Sequence, residues 1–194
     1  TVNNATGVIN KSPLTITAVT NTKTYNGSAS AAGVPTVSGL QGSDTVTGRA
    51  EVYDTQHVGT GKTLSVSAYT VNDGNSGNNY TVNTVSDTTG VINKAPLTIT
   101  AVTNTKIYDG TTSAAGIPTV AGLQGTDTVS GRLEVYDTRH VGTSKTLSVS
   151  AYTVNDGNGG NNYNVTTVNN TTGVINKRMI TVTAVASTKV YDGN

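Results

Sequence analysis

The sequence predicts an all-β protein made of small sandwich-like domains, repeated in tandem and set end to end as a rod. Three observations predict it: a strand-forming composition, an internal period without insertions, and joins with no flexible linker.

Composition comes first. Among 194 residues there are 38 Thr and 26 Val, with 21 Asn and 22 Gly and no Phe, Trp or Cys. Branching at Cβ stiffens Thr and Val and suits them to a pleated surface. Asn and Gly supply the turns between strands. Leu, Glu and Gln are rare, so strong helix formers are scarce.

The period is read directly. Gly7-Val8-Ile9-Asn10-Lys11 returns at Gly90-Val91-Ile92-Asn93-Lys94 and again at Gly173-Val174-Ile175-Asn176-Lys177, a step of 83 residues each time. Residues 7–89 and 90–172 share 66 identities in that register. The period is too long for one coil of a solenoid and fits a small domain. With units opened at Pro13 and Pro96, the chain divides into 1–12 (tail of a preceding repeat), 13–95, 96–178, and 179–194 (start of the next). It is therefore expected to be part of a longer protein.

Within a unit, alternation marks the strands. Leu14, Ile16 and Ala18 alternate with Thr15 and Thr17. Ala50 and Val52 alternate with Arg49, Glu51 and Tyr53. Leu64, Val66 and Ala68 alternate with Thr63, Ser65 and Ser67. Tyr80–Val82 and Gly90–Ile92 form shorter runs, and a weaker strand covers Val34–Ser38, about six strands per unit. Gln41–Thr45 is read as one helical turn capped by Ser43 or Asp44. That turn supplies the alternative architecture, a β-grasp-like unit with one short helix.

The joins set the rod. Ile92-Asn93-Lys94 runs through Ala95-Pro96 into Leu97-Thr98-Ile99 with no Gly/Ser spacer. A two-residue join containing proline gives little freedom, so two domains of roughly 30 Å should span about 60 Å.

Composition also excludes function classes. The net charge of +1, with basic residues scattered singly, gives no footprint for nucleic acid. No apolar run reaches the roughly 20 residues of a membrane span. Without cysteine there is neither a disulfide nor a thiolate metal site.

Lys106-Ile107-Tyr108-Asp109-Gly110-Thr111-Thr112-Ser113-Ala114 carries a recognisable pattern, as do Gly122–Val129 and Val141–Val149. Together they resemble the YDG-type repeats of large bacterial surface proteins, which are similar to filamentous-haemagglutinin-type adhesins often exported by two-partner secretion. Lys189-Val190-Tyr191-Asp192-Gly193 repeats the motif in register, whereas the first unit has Tyr25-Asn26-Gly27. Asn fits the same turn as Asp but carries no charge. The resemblance implies export, extracellular display on a bacterial surface, and roles in adhesion or biofilm. It supplies no catalytic residues.

The best ligand candidates are two loops, Asp73–Asn79 and Asp156–Asn162. Oxygen side chains at alternate positions beside glycine are what Ca²⁺ loops use, so Asp73, Asn75, Asp156 and Asn158 are the candidate calcium ligands. The bidentate acid is missing locally and would have to come from Asp54 or Asp44. A polar turn is the competing reading. Gly59-Thr60-Gly61-Lys62-Thr63 lacks the first glycine of a phosphate loop and precedes a strand. One histidine per unit, His57 or His140, gives a nucleophile little choice of base. Glu51 and Asp54 stand three apart on a strand and point to opposite faces, so no catalytic carboxylate pair is expected. The tyrosines are read chiefly as core or interface residues. The expected function is a structural stalk or spacer, not an enzyme, projecting a distal adhesive region. Its expected partners are neighbouring repeats of the same chain, and the chain is expected to be monomeric. The alternative is a repeated weak glycan- or matrix-binding module acting by avidity.

Overall fold

The computed structural model describes residues 6–194. It is all-β, with no helix among the described residues. The first repeat holds seven strands: β1 (Ser12–Thr17), β2 (Thr22–Thr24), β3 (Thr36–Ser38), β4 (Thr45–Tyr53), β5 (Gly59–Asn72), β6 (Tyr80–Val85) and β7 (Asp87–Asn93). The second repeats them as β8 (Ala95–Thr100), β9 (Thr105–Ile107), β10 (Thr119–Ala121), β11 (Thr128–Tyr136), β12 (Gly142–Asn155), β13 (Tyr163–Val168) and β14 (Asn170–Asn176). Each repeat makes a three-stranded sheet, β3-β1-β6 or β10-β8-β13, and a four-stranded one, β2-β7-β5-β4 or β11-β12-β14-β9.

Both sheets are mixed. β1 pairs antiparallel with β3, Thr15 opposite Ser38, and parallel with β6, Ser12 opposite Tyr80. That central position buries Leu14 and Ile16 completely. β2 has no apolar residue to announce it. Parallel pairing with β7, Lys23 opposite Ile92, makes it a strand. The expected helical turn at Gln41–Thr45 is instead a hydrogen-bonded turn, Asp44 N–H donating to the Gln41 carbonyl at 3.1 Å. The β-grasp alternative therefore does not hold.

On β4 the inward face is the opposite of the one alternation suggests. Register shifts between Thr47 and Glu51, beside Gly48, change the parity of the strand. Glu51 and Tyr53 are buried, while Ala50 and Val52 are only half-buried.

By contact density the chain forms two compact units. The first holds the residues up to Ile99 together with Val120–Gly131 and Tyr152–Thr166; the second holds Thr100–Thr119, Arg132–Ala151 and Thr167–Asn194. The first has two cores. One gathers Leu14, Ile16, Val46 and Tyr80. The other gathers Ala18, Tyr25, Tyr53, Leu64 and Ile92 with Ala95, Leu97 and Tyr163. Val66 of β5 packs against both. The second unit is built around Ala101, Tyr136, Leu147 and Ile175.

Ile9, Ile92 and Ile175 occupy one repeat position. Ile92 and Ile175 are buried on β7 and β14, whereas Ile9, with no sheet around it, is fully exposed. Residues 177–194 form no strand.

Candidate functional site

The chemistry-bearing side chains are placed by turns, and most of their hydrogen-bonding capacity is spent on those turns. Asp73 Oδ1 accepts the Asn75 and Gly77 N–H groups at 2.8 Å each, and Oδ2 accepts that of Asn79 at 3.0 Å. Asp156 does the same for Asn158, Gly160 and Asn162. Asn75 and Asn158 turn their amides onto Asn79 and Asn162, each at 2.9 Å. The four candidate calcium ligands thus hold their own loops. No group of three or more His, Cys, Asp or Glu stands together as a metal site among the described residues.

What the second loop presents is Asn162, which sequence reasoning did not single out. Its Oδ1 accepts the Val58 N–H at 3.0 Å, and its carbonyl accepts the Ala95 N–H at 3.0 Å. With the amide oriented by Val58, Nδ2 faces His57 Nδ1 at 3.2 Å. The contact suits the tautomer in which that nitrogen accepts.

Next to it lies a tyrosine–aspartate cluster, also inside the first unit. Tyr25 and Tyr163 both donate to Asp127 Oδ2, at 2.9 and 2.6 Å. Their rings meet edge to face at 5.5 Å, the arrangement their quadrupoles favour. The Gln124 N–H donates to the Tyr163 hydroxyl at 2.8 Å. Burial, reinforced by the Asp127 carboxylate, pushes the Tyr25 hydroxyl up to about 12. In the first repeat, Tyr80 donates to Asp44 at 2.7 Å and accepts from the Gln41 N–H in the same way.

The Tyr-Asp-Gly turn is itself locked by a lysine. Lys106 Nζ lies 2.8 Å from Asp109 Oδ1 and from the Thr111 carbonyl, 2.9 Å from the Ser113 carbonyl, and over the Tyr136 ring. Lys23 does the same with Asn26, Ser28, Ser30 and Tyr53. Asn26 therefore preserves the turn without the charge. The Lys106 hydrogen bond, with help from the Thr111 N–H, pulls the Asp109 carboxyl down to about 2.

Glu51 and Asp54 do not meet. Asp54 is exposed and paired with Lys62 at 2.9 Å. Glu51 is buried, Oε2 accepting the Val19 N–H at 2.8 Å and Oε1 having no donor among the described residues. Glu134 repeats this with Val102. Tyr53, two residues on and so on the same face of β4, is the sequence signal that could have found a buried Glu51. His57 and His140 lie in separate copies, and among the described residues no carboxylate is bonded to either. Gly59–Thr63 opens β5 and makes no phosphate cradle.

These shifts set a pH profile. Asp109 lies well below its unfolded value of about 3.9. At Asp156 burial works upward but is outweighed by its three N–H donors, so it too is lowered. On acidification the unfolded chain takes up protons first. The stabilisation is complete above about pH 4 and is lost as pH falls toward the folded values. Tyr25, raised from about 10, acts on the other side: its contribution is lost as pH rises past about 10. The melting temperature by circular dichroism should be level from about pH 5 to 8 and fall at both ends. A rise on acidification below about pH 4 would contradict the assignment.

No curated protein and no solved structure matches the chain. The YDG domain matches it twice in succession, over residues 10–89 and 93–172, and so the chain belongs to the YDG domain family.

Proposed function

We propose that the chain is a spacer in the stalk of a bacterial cell-surface or secreted adhesin, holding a distal adhesive region away from the cell. The observation that carries this reading is the Tyr25–Asp127–Tyr163 cluster. It ties a residue of the first sequence repeat to two of the second inside one packed core. Copying such a module adds length without adding a hinge. A second reading has its own support. Tyr69 and Tyr152 are among the few exposed aromatics, and each lines a shallow recess beside a glycine-rich loop, an arrangement suited to stacking weakly on a sugar.

Small-angle scattering on proteins of two, three and four repeats tests the first reading. The maximum dimension should grow linearly with repeat number while the cross-section stays constant; growth as the square root would overturn it. Specific signal on a glycan array, lost on Tyr69→Ala with Tyr152→Ala, would favour the second.

A further inference from the structure

We propose that Asn26-Gly27 is a self-modifying site, at which the folded protein turns its own asparagine into aspartate and so gives the first repeat the Tyr-Asp-Gly turn that the second carries. Asparagine followed by glycine is the pair most open to this chemistry, because glycine leaves its backbone nitrogen unshielded by a side chain. The chain holds two such pairs, Asn26-Gly27 and Asn158-Gly159. The structure treats them oppositely.

Asn26 is exposed, so water reaches it. Its Oδ1 accepts from Lys23 Nζ at 3.0 Å, from the Ser28 N–H at 3.2 Å and from the Ser28 hydroxyl at 3.1 Å. The Lys23 ammonium and the Ser28 N–H can only donate, so the atom they meet is the amide oxygen. The three donors are aimed where negative charge gathers when a nucleophile adds to Cγ, which is how an oxyanion hole works. The nucleophile is the Gly27 nitrogen, whose N–H has no partner among the described residues. The bond from the Ser28 N–H closes a ring through Asn26 and Gly27 and keeps the amide beside the intervening peptide. Asn158 has the reverse arrangement. Its Nδ2 donates to Asn162 Oδ1 at 2.9 Å, and its own Oδ1 receives no donor among the described residues.

Hydroxide takes the Gly27 amide proton, and that nitrogen's electron pair forms a bond to Asn26 Cγ while the C=O pair moves onto Oδ1. The return of that pair expels Nδ2, which takes a proton from water and leaves as ammonia, so hydroxide is regenerated and a cyclic imide remains. Water then breaks the bond between Cγ and the Gly27 nitrogen, giving aspartate, or the bond between that nitrogen and the Asn26 backbone carbonyl carbon, giving isoaspartate. The net change is one water consumed and one ammonia released. The fold selects aspartate. Isoaspartate would lengthen the backbone by a methylene between Tyr25, which is buried, and Gly27, where even a Cβ would stand 3.1 Å from Gly125 Cα. Aspartate adds no backbone atom and sets a carboxylate on Lys23, as Asp109 sits on Lys106 at 2.8 Å. The inference concerns one turn and stands apart from the spacer role.

The test is to hold the whole chain at mildly alkaline pH, native and in urea, and follow both asparagines by peptide mapping with fragmentation that tells aspartate from isoaspartate. In the native chain Asn26 should convert at least about tenfold faster than Asn158. Aspartate should be the main product, with ammonia released and one negative charge gained. Lys23→Met removes the charged donor and should slow Asn26 at least about tenfold, leaving Asn158 unchanged. Ser28→Ala removes only the hydroxyl donor and should slow Asn26 severalfold; it carries the test if Lys23→Met fails to fold. A native ratio of the two rates no greater than the ratio in urea would overturn the proposal. So would isoaspartate predominating in the native chain, or Ser28→Ala converting as fast as the unaltered protein.

Discussion

Gly39→Ala, or its repeat Gly122→Ala, is expected to cost about 3 kcal/mol and lower the melting temperature by roughly 10 °C. Both glycines have left-handed backbone, φ +97° and +101°, which already disfavours a side chain by about 1 kcal/mol. The larger part is steric. A Cβ at Gly39 would lie 2.4 Å from the Pro13 carbonyl oxygen, and one at Gly122 2.4 Å from that of Pro96. Neither oxygen is at the end of a side chain that can swing away. Pro13 belongs to β1, which is paired on both edges, so relief means moving the central strand of the sheet. Gly42→Ala is the control: its φ is also positive but no atom stands near, and only the backbone cost of about 1 kcal/mol should appear. Calorimetry on the three variants decides. A loss at Gly39 no larger than at Gly42 would refute the close approach.

Tyr25→Ala and Tyr108→Ala are the same substitution at the same repeat position, and they should differ severalfold in cost. Tyr25 is buried, packs edge to face on Tyr163 and donates to Asp127. Its removal leaves a cavity in a core with no Phe or Trp to close it and should cost about 3–5 kcal/mol. Tyr108 has solvent on one side and a hydroxyl with no partner among the described residues, so about 1 kcal/mol is expected there. Urea unfolding measures both. Equal losses would mean that the cover over Tyr25 contributes nothing.

Much of this architecture is legible in the residues. Thr-x-Thr alternation around Leu14 and Ile16 locates β1, and the step between the Gly-Val-Ile-Asn-Lys segments counts the copies. What escaped did so for physical reasons. β2 is a strand because β7 offers it a free edge, and no local property of Thr22-Lys23-Thr24 encodes that. Glu51 faces inward because a bulge at Gly48 shifts the parity of β4, and alternation has no way to count a bulge. The oxygen-rich Asp73 loop resembles a cation site in one dimension. In three, both carboxylate oxygens are aimed at N–H groups of the same loop. Asn162 was missed because its role arises at its contact with His57 and Val58, about a hundred positions away, and it shares its sequence with the exposed Asn79.

β5 is 14 residues long, and Val66 near its middle touches both cores of the first compact unit. There is accordingly no seam at which that unit can part halfway. Loosening the packing around Leu64 frees Val66, which then withdraws support from Leu14 and Ile16, and the reverse holds equally. The two hydrophobic clusters are thereby expected to melt together. A chain without disulfides, Phe or Trp thereby gains its resistance from simultaneity and not from any single strong bond.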